Sequence, residues 1–194
     1  MTNMENIFFN PHDLKHCGEH VILGKTVRIR KPERVSIGDH TIIDDFTYVS
    51  CGLTVGSYTH IGALTAIIGG NAHVTVGSYV NIAPGGRLVA ASHDFLLGGL
   101  SGPTIPPEIA EPGIEENVVL EDHVLLGANT TILPGVHLPE GFATGASTLV
   151  TPNTKLKPWS VYLGSPAQFY KPRNRDKILD SVSMLSRHKP DPKD

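Results

Sequence analysis

Aliphatic residues return every six positions along most of the chain. They stand at Ile37, Ile43, Val49, Val55, Ile61 and Ile67, then at Val76, Ile82 and Leu88, and again at Ile114, Leu120, Leu126, Ile132 and Leu138; Thr144 breaks the series and Val150 restores it. A period of six fits neither an amphipathic helix nor a strand with one wet face. Between the aliphatics comes a small or acidic residue, two variable residues, then a small or β-branched one, as in Ile37-Gly38-Asp39-His40-Thr41 and Val55-Gly56-Ser57-Tyr58-Thr59. Each hexapeptide predicts one short strand and one turn. Three make a triangular coil of a parallel β-helix, with the aliphatic inward and stacked on its equivalent about 4.8 Å away. At about eighteen residues per coil the chain holds roughly six or seven coils. The first coil, 21–31, is expected to be irregular, because Val21 and Val27 keep the step but Lys31 falls on it. Extra residues between Ile67 and Val76, at Gly69-Gly70-Asn71-Ala72, predict a small bulge at a corner.

After Leu88 the beat stops. The stretch 94–113 carries four prolines and four glycines outside any repeat, and structureless segments of this length inside compact domains are often functional. His93 stands at the break. At the N-terminus, Asn10 as cap, Pro11 at the first helical position and Asp13 in the first turn predict a short helix over 11–17, closed by Gly18. Near the other end Asn174 as cap and the stripe Ile178, Val182 and Leu185 predict a helix over 174–187, with Pro190 beyond it. The expected organisation is all-β and a single domain over 1–194: a cap at 1–20, a β-helix over 21–165 with the loop 94–113, and a C-terminal segment and helix over 166–194.

Composition removes several classes. Sixteen Lys and Arg against nineteen Asp and Glu give a formal charge of -3, with no basic run that would track a phosphate backbone, so nucleic acid is not an expected partner. No apolar run approaches the ~20 residues needed to span a bilayer, and the first residues lack the pattern of a signal peptide. Membrane insertion is not expected, and the reading is a soluble, cytoplasmic protein. Cys17 and Cys51 stand alone, without metal or disulfide spacing, as ordinary thiols.

Ile82-Ala83-Pro84 begins eleven residues before His93, and the later coils carry Ile132-Leu133-Pro134-Gly135-Val136, Gly145-Ala146-Ser147-Thr148-Leu149-Val150-Thr151 and Gly164-Ser165-Pro166-Ala167. With the hexapeptide beat, these resemble the sugar acetyltransferases of the hexapeptide-repeat class, the galactoside and maltose acetyltransferase-like group. Phe8-Phe9-Asn10-Pro11, Leu14-Lys15-His16-Cys17-Gly18 and Pro103-Thr104-Ile105-Pro106-Pro107 look like the branch found in surface-polysaccharide gene sets. The resemblance implies a left-handed parallel β-helix, a homotrimer with sites between subunits, and acetyl-CoA as donor to a hydroxyl or amino group of a sugar or nucleotide sugar, without a metal. It makes His93 the general base and places the thioester at the backbone of Ala128. Ala146, Thr151 and Gly164 would line the coenzyme groove, Lys171 and Arg173 would meet its phosphates, and Asn71 would meet the acceptor; Asp94, next to His93 in the chain, would orient it or contact the acceptor.

The chemistry suits one histidine. Acyl transfer needs a group to take the nucleophile's proton and a donor for the tetrahedral oxyanion, and an imidazole near its ordinary pKa accepts that proton at neutral pH. Departures lie on the acceptor side: Ala63 stands where the galactoside enzymes hold the sugar with asparagine, and Asn71 where they use aspartate. Leu125 replaces their aromatic residue beside the thioester arm, and Gln168 one of their arginines. Trp159 reads as packing for the last coil. Two other readings stay open. Histidines twenty apart, His40 with His60 and His73 with His93, allow a metal-dependent hydratase on this fold, although their spacing does not resemble that of its carbonic anhydrases, and the long loop allows a non-catalytic scaffold.

Overall fold

A computed structural model describes residues 6–93, 96 and 98–187. The chain winds through three parallel sheets in about seven turns. Sheet A gathers His16–Cys17, Val35–Ile37, Gly52–Val55, His73–Val76, Val118–Leu120 and His137–Leu138. Sheet B begins with Ile22–Leu23, Ile42–Ile43, His60–Ile61 and Asn81–Ile82; sheet C includes Arg28–Ile29, Tyr48–Val49, Ala66–Ile68, Arg87–Val89, Thr131–Ile132 and Leu149–Val150. Register makes the beat a column: Ile43 faces Ile61, Ile61 faces Ile82, and Ile82 faces Leu126. All four are fully buried, and each such side chain contributes about 1.5–3 kcal/mol through burial.

A second inward column lies two residues before the first, where Val27, Thr41, Thr47, Thr59, Thr65, Val80 and Thr130 are buried. Most of its threonines pair their hydroxyls inside: Thr41 donates to the Gly56 carbonyl at 2.8 Å and Thr59 to that of Gly77 at 2.9 Å, whereas the buried Thr47 hydroxyl has no partner among the described residues. Thr144 fits the beat by the same means, with its hydroxyl 2.9 Å from that of Thr130.

This second column corrects the expectation of an irregular first coil. Val21 and Val27 belong to it, while Cys17, Leu23 and Ile29 pair in register with Ile37, Ile43 and Val49. The coil is regular, and Lys31 opens a corner containing the 3-10 turn Pro32–Arg34. Ile114 is a second correction: it lies exposed outside the solenoid, and Val118 takes the buried place.

The N-terminal helix shrinks to a 3-10 turn, Pro11–Asp13. Asn10 does cap it, accepting the His12 amide at 3.0 Å. The chain then turns Leu14 onto the open end of the core and gives His16–Cys17 to sheet A, which satisfies their backbone groups better than an isolated short helix would. The C-terminal helix, α1, spans Arg175–Arg187, with Asn174 accepting the Lys177 amide at 3.1 Å. Before it, Ser160–Leu163 closes sheet B and Gln168–Pro172 folds back antiparallel onto that strand.

Candidate functional site

Three edges join the sheets, and they differ in what their side chains leave open. On the A-to-B edge the corner residues His20, His40, Tyr58, Tyr79, His123 and Trp159 all take positive φ. Their rings stack from coil to coil, with centroid separations between 4.6 and 5.6 Å. Gly141 interrupts this column, and a Cβ there would collide with the Trp159 ring that leans into the gap. Beside the rings, each corner amide meets an acceptor one coil on: Glu19 donates to Asp39, Asp39 to Ser57, Ser57 to Ser78, and Ser78 to Asp122, at 2.7–3.1 Å. From Glu19 to Asp122 this edge is hydrogen-bonded from coil to coil.

On the B-to-C edge the equivalent corner positions begin with Lys25 and Asp45, whose carboxylate accepts the Thr26 amide at 2.9 Å, and continue with Ala63, Pro84, Ala128 and Ala146, which carry no acceptor. The amides of Ala128 and Ala146 accordingly have no partner among the described residues, while the Ala128 carbonyl accepts from Ser147 at 2.7 Å. The coils are tight here, since a Cβ on Gly127 would lie 2.5 Å from the Gly145 carbonyl carbon. Gly164 continues the column at a φ of 94°. The structure thus brings Ala128, Ala146 and Gly164 together on one edge.

The C-to-A edge holds every interruption of the repeat: the turn Pro32–Arg34, the bulge at 69–72, and the long loop. The chain leaves Arg87–Val89, passes the buried Ala90, and runs outward as Ala91–His93, antiparallel to Gly113–Glu115 with His93 opposite Gly113. The loop base is therefore a hairpin, where the sequence predicted only irregular chain. It is pinned by the Glu116 amide on the Ala90 carbonyl at 2.9 Å. His93 is exposed, and its imidazole makes no hydrogen bond to a described residue. Asp94 lies outside the described residues.

Asn71 sits below this hairpin. Its amide donates to Glu115 Oε2 at 3.4 Å and its carbonyl accepts from Arg34 Nη2 at 2.9 Å. Gly70, at a φ of 52°, has no room for a side chain because the Glu115 carboxylate fills the space. His73 follows, sharing a 2.9 Å hydrogen bond through Nε2 with Thr54 Oγ1. Burial, then the charges of Arg34 and Lys15, hold its pKa below the ordinary histidine value, which favours the neutral ring. Burial also pushes the Cys51 thiol up to about 11, which keeps it unreactive. Sequence reasoning missed Arg34 and Glu115; the two-residue phase shift around Pro32 was the available signal.

The other candidates are dispersed. Thr151 lies in a turn, its hydroxyl 3.1 Å from that of Thr154. Lys171 is exposed on the antiparallel strand, its ammonium over the Tyr170 ring at 5.3 Å. Arg173 is half-buried on the A-to-B edge and donates to the carbonyls of His123 and Gly141, a sheet away from Gly164. The histidine pairs do not meet: His40 stacks between His20 and Tyr58, His60 bonds Asp44 at 2.8 Å, and His73 and His93 stand on different strands. Among the described residues no three His, Cys, Asp or Glu side chains are placed to hold a metal, and no helix is long and apolar enough to cross a membrane.

No protein-family model matches the chain. Among solved structures it is similar to AntD, an N-acyltransferase from Bacillus cereus in complex with dTDP-4-amino-4,6-dideoxyglucose and coenzyme A: 33% identity, TM-score 0.84, over 94% of this chain and 99% of that one. A dTDP-4-amino-4,6-dideoxy-D-glucose acyltransferase of Escherichia coli is 28% identical over 188 residues, 95% of either chain. A putative lipopolysaccharide biosynthesis O-acetyl transferase of Escherichia coli K12, WbbJ, is 28% identical over 68% of this chain and 63% of its own length. Coil for coil and over nearly its whole length, the chain belongs to the hexapeptide-repeat sugar acyltransferase family.

Proposed function

We propose that this protein transfers an acyl group from coenzyme A to the amino group of a nucleotide-linked deoxyamino sugar. The observation that carries the proposal is the contrast between an open imidazole on one edge and open amides on another. Membership in the family makes the chain a coenzyme A-dependent sugar acyltransferase. Nitrogen is preferred to oxygen because the relatives matching nearly the whole chain act on a 4-amino sugar, whereas the O-acetyl transferase matches about two thirds. A surface-glycan role in the cytoplasm, where acyl-CoA and nucleotide sugars are available, fits this reading.

The chemistry follows from the two edges. The sugar amine attacks the thioester carbonyl and forms the C–N bond while His93 accepts its proton; the Ala128 amide holds the oxyanion. Collapse breaks the C–S bond, and the departing thiolate takes the proton back from His93, giving amide and free coenzyme A. One copy cannot close this circuit, because sheet C separates the edges by a hexapeptide side, roughly 15–20 Å at about 3.3 Å per residue. A homotrimer in which the C-to-A edge of one copy meets the B-to-C edge of the next supplies both halves. Leu100 and Ile109 on the loop, 62% and 63% exposed, give it an apolar surface to lay on a neighbour.

Ala146, Thr151, Gly164, Lys171 and Arg173 remain candidates for the coenzyme side, and Asn71 and Asp94 for the acceptor side. Arg173 is the weakest of them, since its guanidinium already serves two carbonyls. The hydratase reading is not favoured, because its histidines are dispersed over separate strands and corners. The test is an acceptor screen with acetyl-CoA and 3-hydroxybutyryl-CoA against amino and hydroxyl sugars, free and nucleotide-linked, read by mass spectrometry. Acylation of a nucleotide-linked amine is expected; acylation of hydroxyls alone would overturn the assignment to nitrogen.

A further inference from the structure

His93 shares its face of the hairpin with one other long side chain. The register pairs Ala91 with Glu115, Ser92 with Ile114 and His93 with Gly113. Paired residues, and those two apart along a strand, lie on the same face, so Ala91, His93, Gly113 and Glu115 fall on one side and Ser92 and Ile114 on the other. On the first side the alanine and the glycine leave a shelf, with an imidazole at its outer end and a carboxylate at its inner end. The two stand diagonally across the strand pair, a separation of about 7–8 Å between such positions. The bulge at 69–72 lies against this side, since the Glu115 carboxylate fills the space beside Gly70 and accepts the Asn71 amide at 3.4 Å.

That contact is long for an N–H···O bond, and it leaves most of the acceptor capacity of the carboxylate unused. Among the described residues no Lys, Arg or His forms an ion pair with Glu115; Arg34 gives its Nη2 to the Asn71 carbonyl instead. The segment 94–113 adds Glu108 and Glu111 but no Lys or Arg. Both His93 and Glu115 are exposed.

We infer that Glu115 selects the acceptor nitrogen, taking one N–H of the sugar amine while His93 takes the other. An ionised carboxylate and an unprotonated imidazole nitrogen are both acceptors, so the shelf favours a ligand group with two donors. A primary amine has two N–H groups even when neutral, and its lone pair stays free for the thioester. A hydroxyl has one O–H. Once that proton is given to His93 for transfer, the oxygen turns its lone pairs on the carboxylate, which is left without a donor. A site built to hydrogen-bond a donor of its substrate rejects the analogue lacking it more sharply than an apolar pocket can. The inference rests on the proposed function and deepens it, by naming the residue that prefers nitrogen to oxygen beside His93.

The experiment compares a dTDP-linked 4-amino-4,6-dideoxy sugar with its 4-hydroxy counterpart, by equilibrium binding to the full-length protein and as acceptors with acetyl-CoA. The parent should bind the amine at least about 10-fold more tightly. Glu115→Gln keeps the shape and an oxygen for the Asn71 amide but removes the charge and one acceptor. It should raise the amine KM by about 10- to 100-fold and bring the binding ratio to within about twofold, with the acyl-CoA KM and the melting temperature near those of the parent. Glu115→Asp keeps the charge on a shorter arm and should recover part of the ratio. A mere strut for the bulge predicts the opposite order, with the glutamine variant parental and the aspartate variant impaired, and that order overturns the inference.

Should both variants misfold, the parent decides alone: a hydroxyl ligand bound within about twofold of the amine overturns the inference, and a preference for the amine supports it. Acylation of the amine with its preference intact in Glu115→Gln removes the role of Glu115 and leaves the function standing. Failure of every nucleotide-linked amine to be acylated removes both together.

Discussion

The A-to-B and B-to-C edges are built from the same corner geometry, yet one is closed and the other open. Both place non-glycine residues at positive φ, Tyr58 and Tyr79 on one and Leu64 and Asn129 on the other. On the closed edge, Asp39, Ser57, Ser78 and Asp122 each take up the amide of the coil before. On the open edge, beyond Asp45, alanine and proline stand in those places, and the amides of Ala128 and Ala146 have no partner among the described residues. Under the proposed function a scaffold becomes a site by omission: an acceptor side chain absent at two corners leaves donors for a substrate.

The largest expected effect lies on the edge that breaks the repeat. His93→Ala should assemble normally and lose acyl transfer to a hydroxyl by about 10²–10⁴-fold, the usual weight of a general base, with a smaller loss for an amine, which is already nucleophilic. Near-parental turnover on both acceptors would remove His93 from the chemistry. Ala128→Pro attacks the open edge directly. Pro84 occupies the equivalent corner one coil below, so the backbone accepts proline there; the variant should keep its melting temperature and lose about 10²–10³-fold in kcat. If kcat holds, the oxyanion donor lies elsewhere.

The converse change strains the closed edge. Gly141→Ala forces a side chain at a φ of 67° into the Trp159 ring and should cost about 1–3 kcal/mol of stability, with activity per folded molecule unchanged. Denaturant melts and initial rates on the same samples decide it. The smallest effect is one of pH. His73 has its pKa lowered in the fold, from an ordinary 6.5, mainly by burial. The unfolded chain binds the proton more readily, so this contribution is full above about pH 6.5 and shrinks as pH falls toward the folded-state value. His73→Gln should flatten that part of the decline in melting temperature between pH 7 and pH 5, and an unchanged slope would show other groups to be responsible.

The period of six made the solenoid legible because burial imposes it: a residue such as Ile61 or Leu126 that missed its step would point into water. The same logic misplaced the first coil, because valine suits both inward columns and Val21 and Val27 belong to the second. Ile114 failed for a related reason, standing on the step by number while its strand had left the sheet. The ring column escaped notice since nothing in a single corner distinguishes a stacked histidine from a solvated one. At the candidate site, His93 was legible from its distance to Ile82-Ala83-Pro84 and from the loop behind it. Arg34, Asn71 and Glu115 were not legible as a group, because three different coils bring them to one corner.

The position of sheet C has a further consequence for how the enzyme is switched on. An isolated copy owns an imidazole and an oxyanion donor but presents them to different partners, so in the proposed arrangement competence belongs to a junction between copies and not to any one of them. Dilution below the assembly constant silences such an enzyme without unfolding it. In that arrangement two impaired variants, one lacking His93 and one lacking the Ala128 amide, should recover activity on mixing, because a ring drawn from both contains a junction in which each supplies what the other has lost.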